Sequence, residues 1–209
     1  MHVEFLLEEE SAEVALNNLL PKILPQQITY TFHVFQGKQN LLKKLPERFR
    51  GYRRWLPPDW IIVVLLDFDQ GDCQELKGRL ERIAEREGFT TLSKVGCHGR
   101  FQVINRLAVK ELEAWFFGDF PAIRQAYPRF PIRLEKKKNY RNPDAIDNPW
   151  ETLEKIFKGA GYYPGGLPKK EVAGRISENM NPWDNQSKSF QVFRDTLRKI
   201  CPQSVTEGV

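Results

Sequence analysis

Hydrophobic positions along the chain alternate between two rhythms. Ile61–Leu66 is an unbroken apolar run that stops at Asp67, with Asp69 and Asp72 close behind. A short run without polar alternation predicts a strand covered on both faces. Residues 3–7 and 28–35, the second rich in β-branched and aromatic side chains, predict two more strands. Between them Val14, Leu16, Leu19, Leu20, Ile23 and Leu24 recur at helical spacing as far as Pro25. Ser11 is placed to cap that helix, with Glu13 in its first turn. Residues 41–55 predict a helix crossed by Pro46 and Gly51, and residues 74–86 an amphipathic helix capped by Asp72 and ended by Gly88. Residues 90–95 and 102–109 read as two further strands, and 111–117 as a helix stopping at Gly118.

Strands alternating with helices specify an α/β fold with a largely parallel sheet flanked by helices. The last third is punctuated by prolines, among them Pro121, Pro128, Pro131, Pro143, Pro149, Pro164, Pro168 and Pro182. It reads as a helical, loop-rich extension over 121–209, packed on an α/β domain over 1–120, with helices near 150–158 and 190–200.

The 209 residues suffice for a real core, and 41% hydrophobic content supports a globular chain. A net charge of +5 permits a polyanionic partner. Cys73, Cys97 and Cys201 are scattered, which argues against a zinc knuckle or a disulfide scaffold. Glu4, Glu8, Glu9 and Glu10 are unlike the basic start of a signal peptide, and no apolar run approaches the roughly 20 residues that cross a bilayer. A soluble, cytoplasmic protein without membrane contact is expected. The sequence lacks the Gly-x-x-x-x-Gly-Lys loop, so it is not itself a P-loop ATPase.

The carboxylates behind the strands carry the candidate chemistry. In an open parallel sheet, ligands bind beyond the carboxyl ends of the strands. Asp67 and Asp69 stand at that end of the third strand, Glu8, Glu9 and Glu10 follow the first, and Glu111 and Glu113 follow the last. Carboxylates crowded together are costly to ionise unless a cation joins them. Magnesium, or manganese, favours such oxygen ligands, polarises a phosphate oxygen and activates a water. Residues two apart on a helix diverge, so only one of Glu111 and Glu113 can face such a site from within a helix. Acidic residues after strands also serve as helix caps and solvated loop residues, the plainer role for Asp72. An Asp-x-Asp pair also marks haloacid-dehalogenase-type phosphatases. There it lies on the first strand with Thr or Val two places on, where this chain has Gly71.

"FLLEEESAEVALNNLLPKIL", "LLDFDQGDC" and "KELEAWFFGDFPAIRQAYP" resemble the motifs of the domain-of-unknown-function 4276 family, and "NPWETLEKIF", "AGYYPGG" and "DNQSKSF" resemble its later blocks. The resemblance implies a Toprim-like fold. Toprim domains of topoisomerases, primases and overcoming-lysogenization-defect nucleases place a Glu after the first strand and an Asp-x-Asp after a later one. They bind magnesium there and act on nucleic acid strands. Carried over, those roles fall on Glu8, Asp67 and Asp69, with Glu113 as an acidic neighbour; the reading of the strand ends adds Glu111 as a further candidate ligand. Many relatives have Glu-Gly after the first strand, whereas here Glu9 follows Glu8. The family also implies a possible ATPase partner and a setting in phage defence. A non-catalytic partner of an ATPase or of nucleic acid is the competing reading.

Basic segments supply candidate contacts to nucleic acid. "ERFRGYRRW" interleaves Arg50, Arg53 and Arg54 with Phe49, Tyr52 and Trp55, a pattern suited to tracking a single strand or to a solvated helix with its aromatics in the core. Lys136, Lys137 and Lys138 lie in a proline-flanked stretch read as a phosphate-binding or merely solubilising loop. Arg100, in "GCHGR", and Lys188, in "NQSKSF", could each steady a phosphate, although Ser189 there reads equally as a helix cap.

Overall fold

Four parallel strands carry the fold, in the order β2-β1-β3-β4. The computed structural model describes residues 1–68, 71–95 and 99–200. Strand β1 (His2–Leu7) is followed by helix α1 (Glu10–Ile23), β2 (Thr29–Val34), α2 (Lys38–Trp55), β3 (Ile61–Phe68) and α3 (Cys73–Arg86). A short α4 (Leu92–Val95) leads to β4 (Val103–Val109). Then come α5 (Glu113–Phe117), α6 (Phe120–Ala126), α7 (Pro149–Gly159), α8 (Lys169–Asn179) and α9 (Lys188–Ile200).

The period-2 alternation of β1 and β3 divides the core into two layers. Val3, Phe5 and Leu7, with Ile61, Val63 and Leu65, pack beneath α1, α5, α8 and α9. Leu6, Ile62, Val64 and Leu66 face α2 and α3. The apolar run of β3 is therefore covered on both sides, as its sequence requires. Pro46 sits inside α2 without breaking its buried stripe of Leu41, Leu42, Leu45, Phe49 and Tyr52.

Three local expectations are corrected. Residues 90–95 make no full strand: Thr91 forms one isolated bridge to Val103, and its carbonyl then accepts from Lys94 N, closing a turn that lifts the chain off the sheet edge into α4. Ser11 lies buried inside the first turn of α1, and its hydroxyl turns back to Glu9 at the cap position. At α9, Ser187 rather than Ser189 caps: its Oγ accepts from Phe190 N at 3.2 Å, while Ser189 N donates to Asp144 Oδ2 at 2.8 Å. Asp72 caps α3 as expected, accepting from Gln74 N and Glu75 N.

Candidate functional site

The carboxyl ends of β1, β3 and β4 meet at one rim of the sheet. Pairing of β1 with β3 stops at Leu7 and Leu65, and β3 continues alongside β4 with Asp67 opposite Ala108. Where the backbone pairing ends, a side chain takes over: Glu8 Oε2 accepts from Asp67 N at 3.1 Å. Asp67 shares the parity of Val63 and Leu65, so it belongs to the α1–α8 face of the sheet. Asp69 lies outside the described residues.

Glu113, at the start of α5, is the deepest acid of the rim. It is 0% exposed, and among the described residues neither carboxylate oxygen has a hydrogen-bond partner. Burial pushes its carboxyl up to about 7; Lys169 pulls it back, and Glu111 and Glu9 push further. Burial likewise holds Asp67 well above the usual carboxylate range, with Glu113 and then Glu8 adding repulsion and Lys169 opposing it. Of the two acids after β4, Glu113 is thus the one coupled to Asp67. Glu111 Oε2 accepts from Trp150 N at 2.8 Å in the first turn of α7.

Lys169, the first residue of α8, is a member of the rim not anticipated from the sequence. Its Nζ lies 2.5 Å from Glu9 Oε2 and 3.8 Å from Glu113 Oε1, and 5.6 Å from the centre of the Trp150 ring. Burial works against its charge, but Glu113, Glu9 and Asp67 hold its pKa above the ordinary lysine value. The sequence did carry a signal. "PKKE" opens a helix with two lysines, where the dipole disfavours cations unless carboxylates stand opposite. Lys170 finds Glu10 at 2.5 Å.

The donor set suits a hard cation in part. Carboxylate oxygens are the ligands magnesium takes, and it commonly uses one or two of them and keeps its waters. Glu8 and Asp67 are adjacent, and Glu113 is a buried carboxylate lacking donors. Among the described residues no group of three His, Cys, Asp or Glu side chains converges as a metal cage.

The basic candidates stand apart from one another. Arg50, Arg53 and Arg54 are exposed on α2, while Phe49 and Tyr52 from the same segment face the core. Lys136, Lys137 and Lys138 are exposed where two 3₁₀ turns meet, Leu134–Lys136 and Lys138–Tyr140, with Lys137 extended between them. Arg100 is exposed, and Lys188 is exposed at the start of α9. A second constellation also escaped the sequence reading. Glu4, buried in β1, accepts from Tyr52 Oη at 2.9 Å and meets His33 Nε2 at 2.5 Å and His2 Nε2 at 3.3 Å. Register is what joins these residues: β1 pairs with β2 through Glu4 and Thr31, with His33 one step along the same face.

Fold and rim together define a parallel α/β protein with an acidic cluster at the carboxyl edge of its sheet. The chain belongs to the family described as domain of unknown function (DUF4276), whose profile matches residues 7–198. Two solved structures of the C-terminal region of the Xanthomonas campestris pv. campestris OLD protein are similar to it. One, phased with mercury, has 15% identity and a TM-score of 0.39, covering 93% of this chain and 95% of that one. The other, phased with platinum, has 16% identity and a TM-score of 0.37, covering 93% of each chain. No curated protein sequence matches. Among the described residues no helix is long and apolar enough to cross a membrane.

Proposed function

We propose that this protein is a Toprim-like, magnesium- or manganese-dependent phosphodiesterase acting on nucleic acid, with Glu8, Asp67 and Asp69 as the metal-holding acids. The observation that carries the reading is the 3.1 Å bond from Asp67 N to Glu8 Oε2, beside an acid, Glu113, that is buried without donors. A divalent cation there would polarise a phosphate oxygen and lower the pKa of a bound water. The chain's own residues do the rest. Glu8 fixes the end of β3, and so the direction of Asp67. Glu113, its carboxyl pushed up to about 7 by burial, can give or take a proton close to the rim. Lys169 offsets negative charge as a phosphate approaches.

Incubating supercoiled plasmid with the protein and magnesium or manganese should produce nicks, and Asp67→Ala should abolish them. Equal nicking by both proteins rejects the proposal.

One observation favours the second reading, a non-catalytic partner of an ATPase or of nucleic acid. Lys169 already supplies a cation to Glu9 and Glu113. Under that reading divalent cations leave the melting temperature unchanged, and the protein co-purifies with an ATPase.

A further inference from the structure

A groove runs along the outer edge of β4, and nothing in the acidic rim accounts for it. Strand β4 ends the sheet, so beyond the Thr91 bridge its outer edge is unpaired. The groove is a cleft of about 360 Å³ between the first turns of α3 and α9. Leu107, Val109 and Val192 form its floor, and Lys77, Arg106 and Lys188 stand around it.

Two of these cations make no ion pair, although Glu81 acts on Arg106 from further off. Arg106 donates through Nε and Nη2 to Thr196 Oγ1, and through Nη1 to the Asn105 carbonyl. Among the described residues no carboxylate lies within ion-pair distance of Arg106 or Lys188, whereas Lys77 is paired with Glu81. Asp144, the acid on the wall, is committed elsewhere: its oxygens accept from Ser187 Oγ, Ser189 Oγ and Ser189 N. Lys188 also opens a helix, where the dipole repels its charge and attracts an anion. Lys77 is offset by Glu81 and Asp144 keeps its negative charge, so Arg106 and Lys188 leave the walls with a small positive excess over an apolar base.

Its position relates it to the rim. Leu107 pairs with Leu66 and Val109 with Phe68, so the groove lies one strand beyond β3, about 4.8 Å from backbone to backbone, and its floor faces the side of the sheet opposite the Asp67 side chain. A strand of nucleic acid reaching from the rim to this groove would cross the carboxyl end of β4. The volume of the cleft is on the scale of a nucleotide.

We propose that the β4-edge groove is the track for one strand of nucleic acid, with Arg106 and Lys188 on its phosphates and Leu107, Val109 and Val192 beneath its sugars and bases. This rests on the phosphodiesterase reading for its direction, but binding is separable from cleavage.

The test is fluorescence anisotropy of a labelled single-stranded oligonucleotide with the full chain in EDTA. Lys188→Glu and Val192→Glu, both at exposed positions, should each weaken binding about tenfold, and Lys188→Glu should lower the salt slope by about one. Arg106→Gln is the third variant, and circular dichroism melts confirm that each is folded. Wild-type affinity in folded Lys188→Glu and Val192→Glu overturns the track while leaving any metal-dependent nicking intact. A polyglutamate peptide that competes as well as unlabelled oligonucleotide also overturns it, since the groove would then read negative charge alone. Conversely, nicking by Asp67→Ala refutes the catalytic reading without touching these affinities.

Discussion

Replacing Glu113 by Gln should stabilise the protein above neutral pH. The carboxyl is wholly buried, its oxygens lack hydrogen-bond partners among the described residues, and its one cationic neighbour, Lys169 Nζ, lies 3.8 Å away. Burial raises its pKa from 4.5 to about 7. In the unfolded chain the group loses its proton near 4.5, while the folded protein keeps it until about 7. Between those values the unfolded state binds fewer protons, so stability falls as pH rises and then levels off. The stabilisation from the protonated form is thus complete below pH 4.5 and gone above about 7. At about 1.36 kcal/mol per pH unit, the gap is on the order of 3 kcal/mol. Glutamine removes that slope at nearly constant volume, although Lys169 then loses one of its two carboxylates. A net gain of roughly 1–3 kcal/mol near pH 8 is expected, or about 2–4 °C in melting temperature per kcal/mol for a chain of this size. Urea titrations of both proteins from about pH 5 to about pH 8 give the difference curve, in which the titration of Asp67 and other shared groups largely cancels. A difference that stays flat across that range would refute the assignment of a protonated Glu113.

Three further outcomes follow from the same contacts. Lys169→Met leaves Glu9, Asp67 and Glu113 without their shared cation, so at pH 8 the variant should lose on the order of 3 kcal/mol, and added magnesium should restore more stability to it than to wild type in parallel melts. Tyr52→Phe removes the hydroxyl donor to buried Glu4 and should cost about 1–3 kcal/mol in urea midpoint analysis, with plasmid nicking unchanged. Asp72→Ala deletes the α3 cap and should cost about 1 kcal/mol; a neutral result would mean that water replaces the cap without penalty.

What the sequence shows depends on how local each cause is. The run 61–66 revealed a doubly covered strand because covering removes all need for polar alternation, and Asp72 revealed a cap because a cap spans three residues. Rim placement could be reasoned out too, since parallel strands joined by helices put all their carboxyl ends on one side. The lysines opening α8 hinted at facing carboxylates, but which ones was out of reach: Lys169 arrives from a helix some 160 residues after Glu9, and only tertiary packing decides that meeting. The Glu4, His2, His33 and Tyr52 group was hidden for the same reason, because it depends on register between β1 and β2 and on the phase of α2. Residues 90–95 misled because a β-rich composition fits either a strand or a single bridge followed by a turn.

The far end of α8 decides how its near end behaves. Lys22 Nζ donates to the carbonyls of Ser177, Glu178 and Met180, and Asn18 Nδ2 to those of Gly174 and to Ser177 Oγ, which bolts the tail of that helix to α1. A lever pinned at its tail cannot retract its head. If a metal took the place of the Lys169 ammonium, that pinning would leave rotation about the Lys169 side-chain bonds as the route open to it. The metal's arrival would then register first in the spectrum of that ammonium group and of the Trp150 indole beside it.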